Sequence, residues 1–252
     1  MRKTFISVLI CFIIVQIPLE ARSIKKVFVE GGMLELKGRT VFIESFKISK
    51  YEITNAQFAD FLNAVKVLND GVYNKIQIIN TLSPDLQLEF INKSWKSKTG
   101  KENFPMVMVN YFGAKEFCNW IGGQLPTENE WVFAAKGGNK SKNDIFAGGN
   151  KLEEVGWYKT NSDAHSHAVG EKKPNELGVY DMSGNVWEWC LNDSLKSNSD
   201  FCVHKGGSWY AGEQPSRIDA HYGNNPLHFS NSVGFRVLFL IKKNRKIETS
   251  LK

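Results

Sequence analysis

The chain reads as an α+β protein: one mature domain with little regular secondary structure. Three observations predict this. Helix signals are confined to the residues before Gly138, where Thr54–Gln57 and Thr127–Glu130 each have capping-box spacing ahead of an apolar stripe. Beyond Gly138 these signals stop, and Gly, Asn, Asp, Ser and Trp dominate long loops between short strands. Finally, neither an internal repeat nor a low-complexity linker divides the 252 residues.

At the N-terminus, Arg2 and Lys3 precede an apolar run from Phe5 to Ile17, with the small residue Ala21 at a cleavage point. Residues 1–21 are therefore expected to be a secretory signal peptide. The alternative is a retained anchor, but a run of about 13 apolar residues is short for a bilayer. Cys11 follows Ile10 rather than a small residue, which argues against a lipoprotein anchor. Val27–Gly32 and Thr40–Ser49 read as strands, the second alternating through Val41, Ile43 and Phe46. Thr54 opens a helix whose core face is Phe58, Phe61, Leu62 and Val65. Residues 67–103, with a turn at Asn69-Asp70-Gly71, read as a variable insertion with some strand character. Asn110 caps a second helix through Ala114, Phe117, Cys118 and Ile121, which stops at Gly122-Gly123. Thr127 caps a third, with Trp131, Ala134 and Ala135 inward and Gly137-Gly138 at its end. The domain is expected over residues 27–241, followed by a basic tail, 242–252.

A net charge of +6, 42% apolar residues and a mean hydropathy of −0.30 fit a soluble globular protein. No interleaving of basic and aromatic residues points to nucleic acid. Membrane contact is expected only through a retained N-terminal segment or the basic tail. Outside the leader the cysteines are Cys118, Cys190 and Cys202, an odd number. Cys190 and Cys202 flank a polar loop and are candidates for a disulfide, while Cys118 reads as a core residue.

The densest segment is Glu176–Trp189, with a Ser183-Gly184-Asn185 turn and a carboxylate between two tryptophans. Asp181 and Glu188 supply hard oxygens, and the turn lets backbone carbonyls converge between them, a pattern suited to calcium. The competing reading pairs Glu188 with backbone amides or an Arg.

Five segments in order resemble the formylglycine-generating enzymes, the sulfatase-modifying-factor family. They are Lys50-Tyr51-Glu52-Ile53-Thr54-Asn55, the stretch from Leu125 to Trp131, the stretch from Asn175 to Trp189, Gly206-Gly207-Ser208-Trp209, and Gly234-Phe235-Arg236. The resemblance implies a single compact domain of C-type-lectin-like topology. It implies a structural calcium held by Asp181, the carbonyls of Gly184 and Val186, and Glu188. It places Ser208, Trp209, Tyr210, Arg217, His221 and Tyr222 along a substrate groove suited to a peptide, protein or glycan; the alternative makes Trp209 and Arg217 core and loop-pinning residues. Arg236 is expected to brace loops.

The family's oxidase chemistry needs two cysteine thiolates for Cu(I). Their positions here are Ala211 and Ser216. No catalytic residue is therefore assigned, and copper is not expected. His165 and His167 read as a loop or edge-strand pair, because the helical domain that carries iron ligands in related sulfoxide synthases is missing from this sequence. Three functions follow. The first is an exported, secreted or periplasmic binding or scaffold module of the cell envelope without oxidase activity. The second is a formylglycine-generating-type oxidoreductase using another residue set. The third is a lectin-like variable display protein.

Overall fold

The computed structural model describes residues 24–36, 38–191 and 201–241. The expected signal peptide, residues 1–21, and the expected basic tail, 242–252, lie outside the described residues. Strands β1 (Lys26–Val29), β2 (Gly32–Leu36), β3 (Arg39–Ile43) and β4 (Phe46–Ser49) open the chain. The single strand expected over Thr40–Ser49 is thus two. The break at Glu44-Ser45 lets β3 pair with β2 as a hairpin while β4 joins β1 in another sheet.

Helix α1 (Asn55–Ala64) begins where its capping box predicts: Thr54 accepts from Gln57 N, and the Gln57 side chain accepts from Thr54 N. The insertion folds as two hairpins, β5 (Val72–Tyr73) with β6 (Ile76–Gln77) and β7 (Leu88–Ile91) with β8 (Ser94–Ser97). Helix α2 (Tyr111–Trp120) is capped by Asn110, and α3 (Glu128–Ala135) by the Thr127–Glu130 box. The rest is mostly loop, with α4 (Leu152–Val155), β9 (Trp187–Trp189), β10 (Cys202–Lys205), α5 (Glu213–Ser216), β11 (Tyr222–Asn224), β12 (Val233–Gly234) and β13 (Leu238–Leu240). Two sheets organise it, β1-β4-β13 and β11-β10-β9-β12. Among the described residues no helix is long and apolar enough to cross a membrane.

The sheet around β9 separates two cores. On one side Phe58 and Phe61 of α1 pack on Phe117 of α2 and on Phe235, with Phe58 and Phe117 stacked at 5.6 Å. Each of these fully buried rings contributes about 2–3 kcal/mol. Trp187 and Trp189 belong to this core. Strand alternation turns Glu188 the other way, towards Trp131 of α3 in the second core.

That alternation also decides the cysteines. Cys190 N donates to Val203 O, so Cys190 sits opposite Val203 and one register step from Cys202. Cys202 lies in the first core and Cys190 in the second. The candidate Cys190–Cys202 disulfide is therefore corrected: the two are buried on opposite faces and are not joined to each other.

Candidate functional site

The Ser183-Gly184-Asn185 turn is the knot of the loop half. Asp181, Gly184 and Asn185 all adopt left-handed backbone, with φ of 60°, 90° and 57°. This gathers distant strands: Gly184 N donates to Gly206 O, Asn185 N to Trp157 O, and Trp209 N to Asn185 O. The Asn185 side chain accepts from His167 N and donates to Glu52 Oε2 at 2.6 Å.

Three buried carboxylates meet beside this turn: Glu52, Asp181 and Glu188, each at most 2% exposed. One buried cation, Arg236, faces them. Its Nε and Nη2 grip Glu188 at 2.6 Å each, while Nη1 and Nη2 also donate to Ser49 O and Tyr180 O. Trp131 Nε1 donates to Glu188 Oε2 at 2.6 Å. Glu188, expected as a calcium ligand, has both carboxylate oxygens engaged by Arg236, the pairing that the competing reading from the sequence offered. Arg236 braces loops as expected.

Glu52 and Asp181 lack such a counter-ion. Glu52 accepts from Asn185 Nδ2 and Val186 N. Asp181 Oδ2 accepts from Gly170 N, but its Oδ1 is buried without a partner. Burial pushes Asp181 up to about 7. Burial, then the charges of Asp181 and Glu188, push Glu52 well above the usual carboxylate range. Buried carboxylates outnumbering their cation, with an orphaned oxygen, suit a hard divalent ion. Among the described residues no three His, Cys, Asp or Glu side chains converge on one metal position, so such an ion needs backbone carbonyls too. Glu52 escaped sequence assignment although it lies in a quoted motif; the signal was a carboxylate between Tyr51 and Ile53.

The expected groove residues do not share one cleft. Trp209 lines a cleft of about 280 Å³ with Asp85, Lys98, Lys101, His165 and Asn231. His221 lines another of about 530 Å³, and its Nδ1 lies 2.8 Å from Glu128. Arg217 pairs with Asp219, Tyr210 is 65% exposed, and Tyr222 packs on Trp187. Ser208 is fully buried, its Oγ unpartnered. The single groove is thus corrected: Trp209 and His221 line separate clefts, and Tyr222 lines neither of the two. The rings of His165 and His167 lie 4.5 Å apart and tilted by 31°, and His167 lies flat on Trp157 at 3.8 Å. They form an aromatic ladder in a loop.

Residues 18–241 match the sulfatase-modifying factor enzyme 1-like domain. The chain belongs to this family. It is 28% identical over 242 residues to inactive C-alpha-formylglycine-generating enzyme 2 of Bos taurus, covering 79% of this chain and 78% of that protein. The crystal structure of CarF superposes with a TM-score of 0.71 at 22% identity, over 87% of this chain and 99% of CarF. PvdO from Pseudomonas aeruginosa does so at 0.64 and 20% identity, over 84% and 93%. These two likenesses show that the chain shares its fold with both proteins.

The two positions at which the sequence resemblance expects thiolates, Ala211 and Ser216, hold a methyl and a hydroxyl. Ala211 is 8% exposed, and Ser216 is fully buried with its Oγ donating to Gly212 O. Neither is a soft ligand. Gly207 explains the tight fit: a Cβ there would meet Ser216 Oγ at 2.3 Å.

His204 of β10 is a separate titrating element. It packs against Trp187 and Trp189 with Nδ1 unpartnered. Burial, helped by His228 and His221, lowers its pKa from 6.5 to about 4. The unfolded chain protonates His204 first as pH falls. Its contribution is therefore complete above pH 6.5 and is lost towards pH 4, about 3 kcal/mol in all. Urea midpoints of wild type and His204→Phe, compared at pH 7 and pH 4.5, should show a smaller acid loss in the variant. Equal losses would rule out His204 as the source.

Proposed function

We propose that this chain is an exported binding module of the cell envelope that has kept the family fold without its copper oxidase chemistry. The observation that carries this is Ala211 and Ser216 at the thiolate positions, with Ser216 Oγ already bonded within its own turn. The module takes a peptide or glycan in the cleft at Trp209. There His165 and Trp209 offer ring faces, and the Asn231–Asp85 pair, bonded at 3.0 Å, offers planar polar groups. Export rests on the leader-like residues 1–21.

A Cys-x-Pro-x-Arg peptide incubated with the protein, Cu(I), oxygen and a thiol reductant should keep its mass beside an active control enzyme. Conversion of its thiol to an aldehyde would overturn the non-oxidase reading. Peptide and glycan arrays should return ligands whose binding drops about tenfold or more in Trp209→Ala, as loss of a stacking platform implies.

Glu52 and Asp181, with the carbonyls of Gly184 and Val186, are the groups that would hold a structural calcium. When bound, the ion supplies positive charge that neutralises these carboxylates and ties the turn to the N-terminal half. Melting in a calcium chelator should come at lower temperature, and saturating calcium should restore roughly 3–4 kcal/mol at a hundred to a thousand times Kd. Asp181→Asn should fold but lose that calcium response. Identical wild-type curves with and without chelator would remove the ion.

A further inference from the structure

The cleft of about 530 Å³ opens between the end of the β2–β3 hairpin and the first turns of α3. It shares no lining residue with the Trp209 cleft. Its apolar surface is Leu36 and Val132. Lys205, 1% exposed, is held by Glu128 Oε1 at 3.2 Å and by the Ala220 carbonyl. His221 Nδ1 lies 2.8 Å from the same carboxylate oxygen. Burial works against the Glu128 charge, but His221 and Lys205 hold its pKa below the usual carboxylate value. A buried ion pair contributes little net stability. Its place in a cleft wall is better explained by what the cleft holds.

The remaining charges define that occupant. Asp219 is paired with Arg217. Among the described residues, the side chains of Arg39, Lys136 and Glu35 make no ion pair or hydrogen bond, and Glu128 Oε2 has none either. Two unpaired cations, one unpaired carboxylate and the second oxygen of the engaged Glu128 thus surround an apolar patch. A dianion would meet the carboxylates, and a plain cation would meet Arg39 and Lys136. A molecule carrying both charges satisfies the set: its carboxylate on Arg39 or Lys136, its ammonium on Glu35 or Glu128, its side chain on Leu36 and Val132. The volume lies within the range of small-molecule pockets and admits two residues. We propose that this cleft binds a zwitterionic apolar amino acid or dipeptide with both ends free.

Calorimetric titration of the full protein with L-leucine and L-leucyl-L-leucine tests this. At least one should bind saturably; which one does distinguishes a free amino acid from a dipeptide. N-acetyl and amide forms of the binder should each bind about tenfold weaker or worse, as loss of one charge-assisted contact implies. Arg39→Gln and Lys136→Gln, both surface changes that should leave melting unchanged, should weaken binding by a similar factor. Trp209→Ala should leave it intact, which separates this site from the cleft of the proposed function. The inference falls if neither probe binds at millimolar concentration, if capped forms bind equally, or if both variants bind like wild type.

Discussion

Arg236→Met should leave a protein that is largely unfolded or insoluble. The substitution removes the one buried cation facing Glu52, Asp181 and Glu188, and releases the carbonyls of Ser49 and Tyr180. Breaking a buried pair from one side costs about 3–5 kcal/mol, because the other charge stays buried. Domains of this kind have about 5–15 kcal/mol in total. Neutralising the stranded partner should help: Arg236→Met with Glu188→Gln should recover roughly 1–3 kcal/mol relative to the single variant. Recovery stays partial because Glu52 and Asp181 remain. Urea unfolding of the variants reads the coupling directly. A single variant as stable as wild type, or a double variant no better than the single, would contradict the network described.

Gly184→Ala is the second large effect. The residue has φ of 90°, and a Cβ there would lie 2.4 Å from Trp157 O and 2.9 Å from Trp157 N. Those are backbone atoms, so no side chain can swing away. Strain and clash together should cost about 3 kcal/mol. Gly178→Ala is the matched control, with φ of 80° but nothing within 4 Å of the added methyl. It should cost only the conformational penalty of about 1–2 kcal/mol. Equal melting temperatures for the two variants would mean that the contact with Trp157 is without effect.

What could be read from the sequence was local. The three longer helices start at caps whose donor and acceptor are three residues apart, as in Thr54–Gln57. The family itself was legible in five short motifs, because each makes a turn or strand that the fold reuses. The carboxylate cluster was not legible, because its members meet across long separations. Glu52 reaches Asn185 133 residues away, and Glu188 reaches Arg236 48 residues away. Periodicity carries no information about such pairings. The groove failed for a related reason: Trp209 and His221 are near in sequence, but α5 and the turn after it send them to different clefts. The break between β3 and β4 did leave a trace, a phase slip in which the inward positions pass from Val41 and Ile43 to Phe46 and Ile48, but a three-residue step is easily read as one continuous strand.

The register of β9 against β10 has a practical consequence. It parks Cys190 and Cys202 on opposite faces of one sheet, and Cys118 is sealed in a helix. Among the described residues, then, no covalent cross-link defines the native state. For the described residues the β9–β10 register forms without an oxidant, and a Cys190–Cys202 bond would oppose it. Such a domain can be produced in a reducing cytosol and refolded from denaturant with its thiols protected, a freedom that a stapled extracellular module lacks.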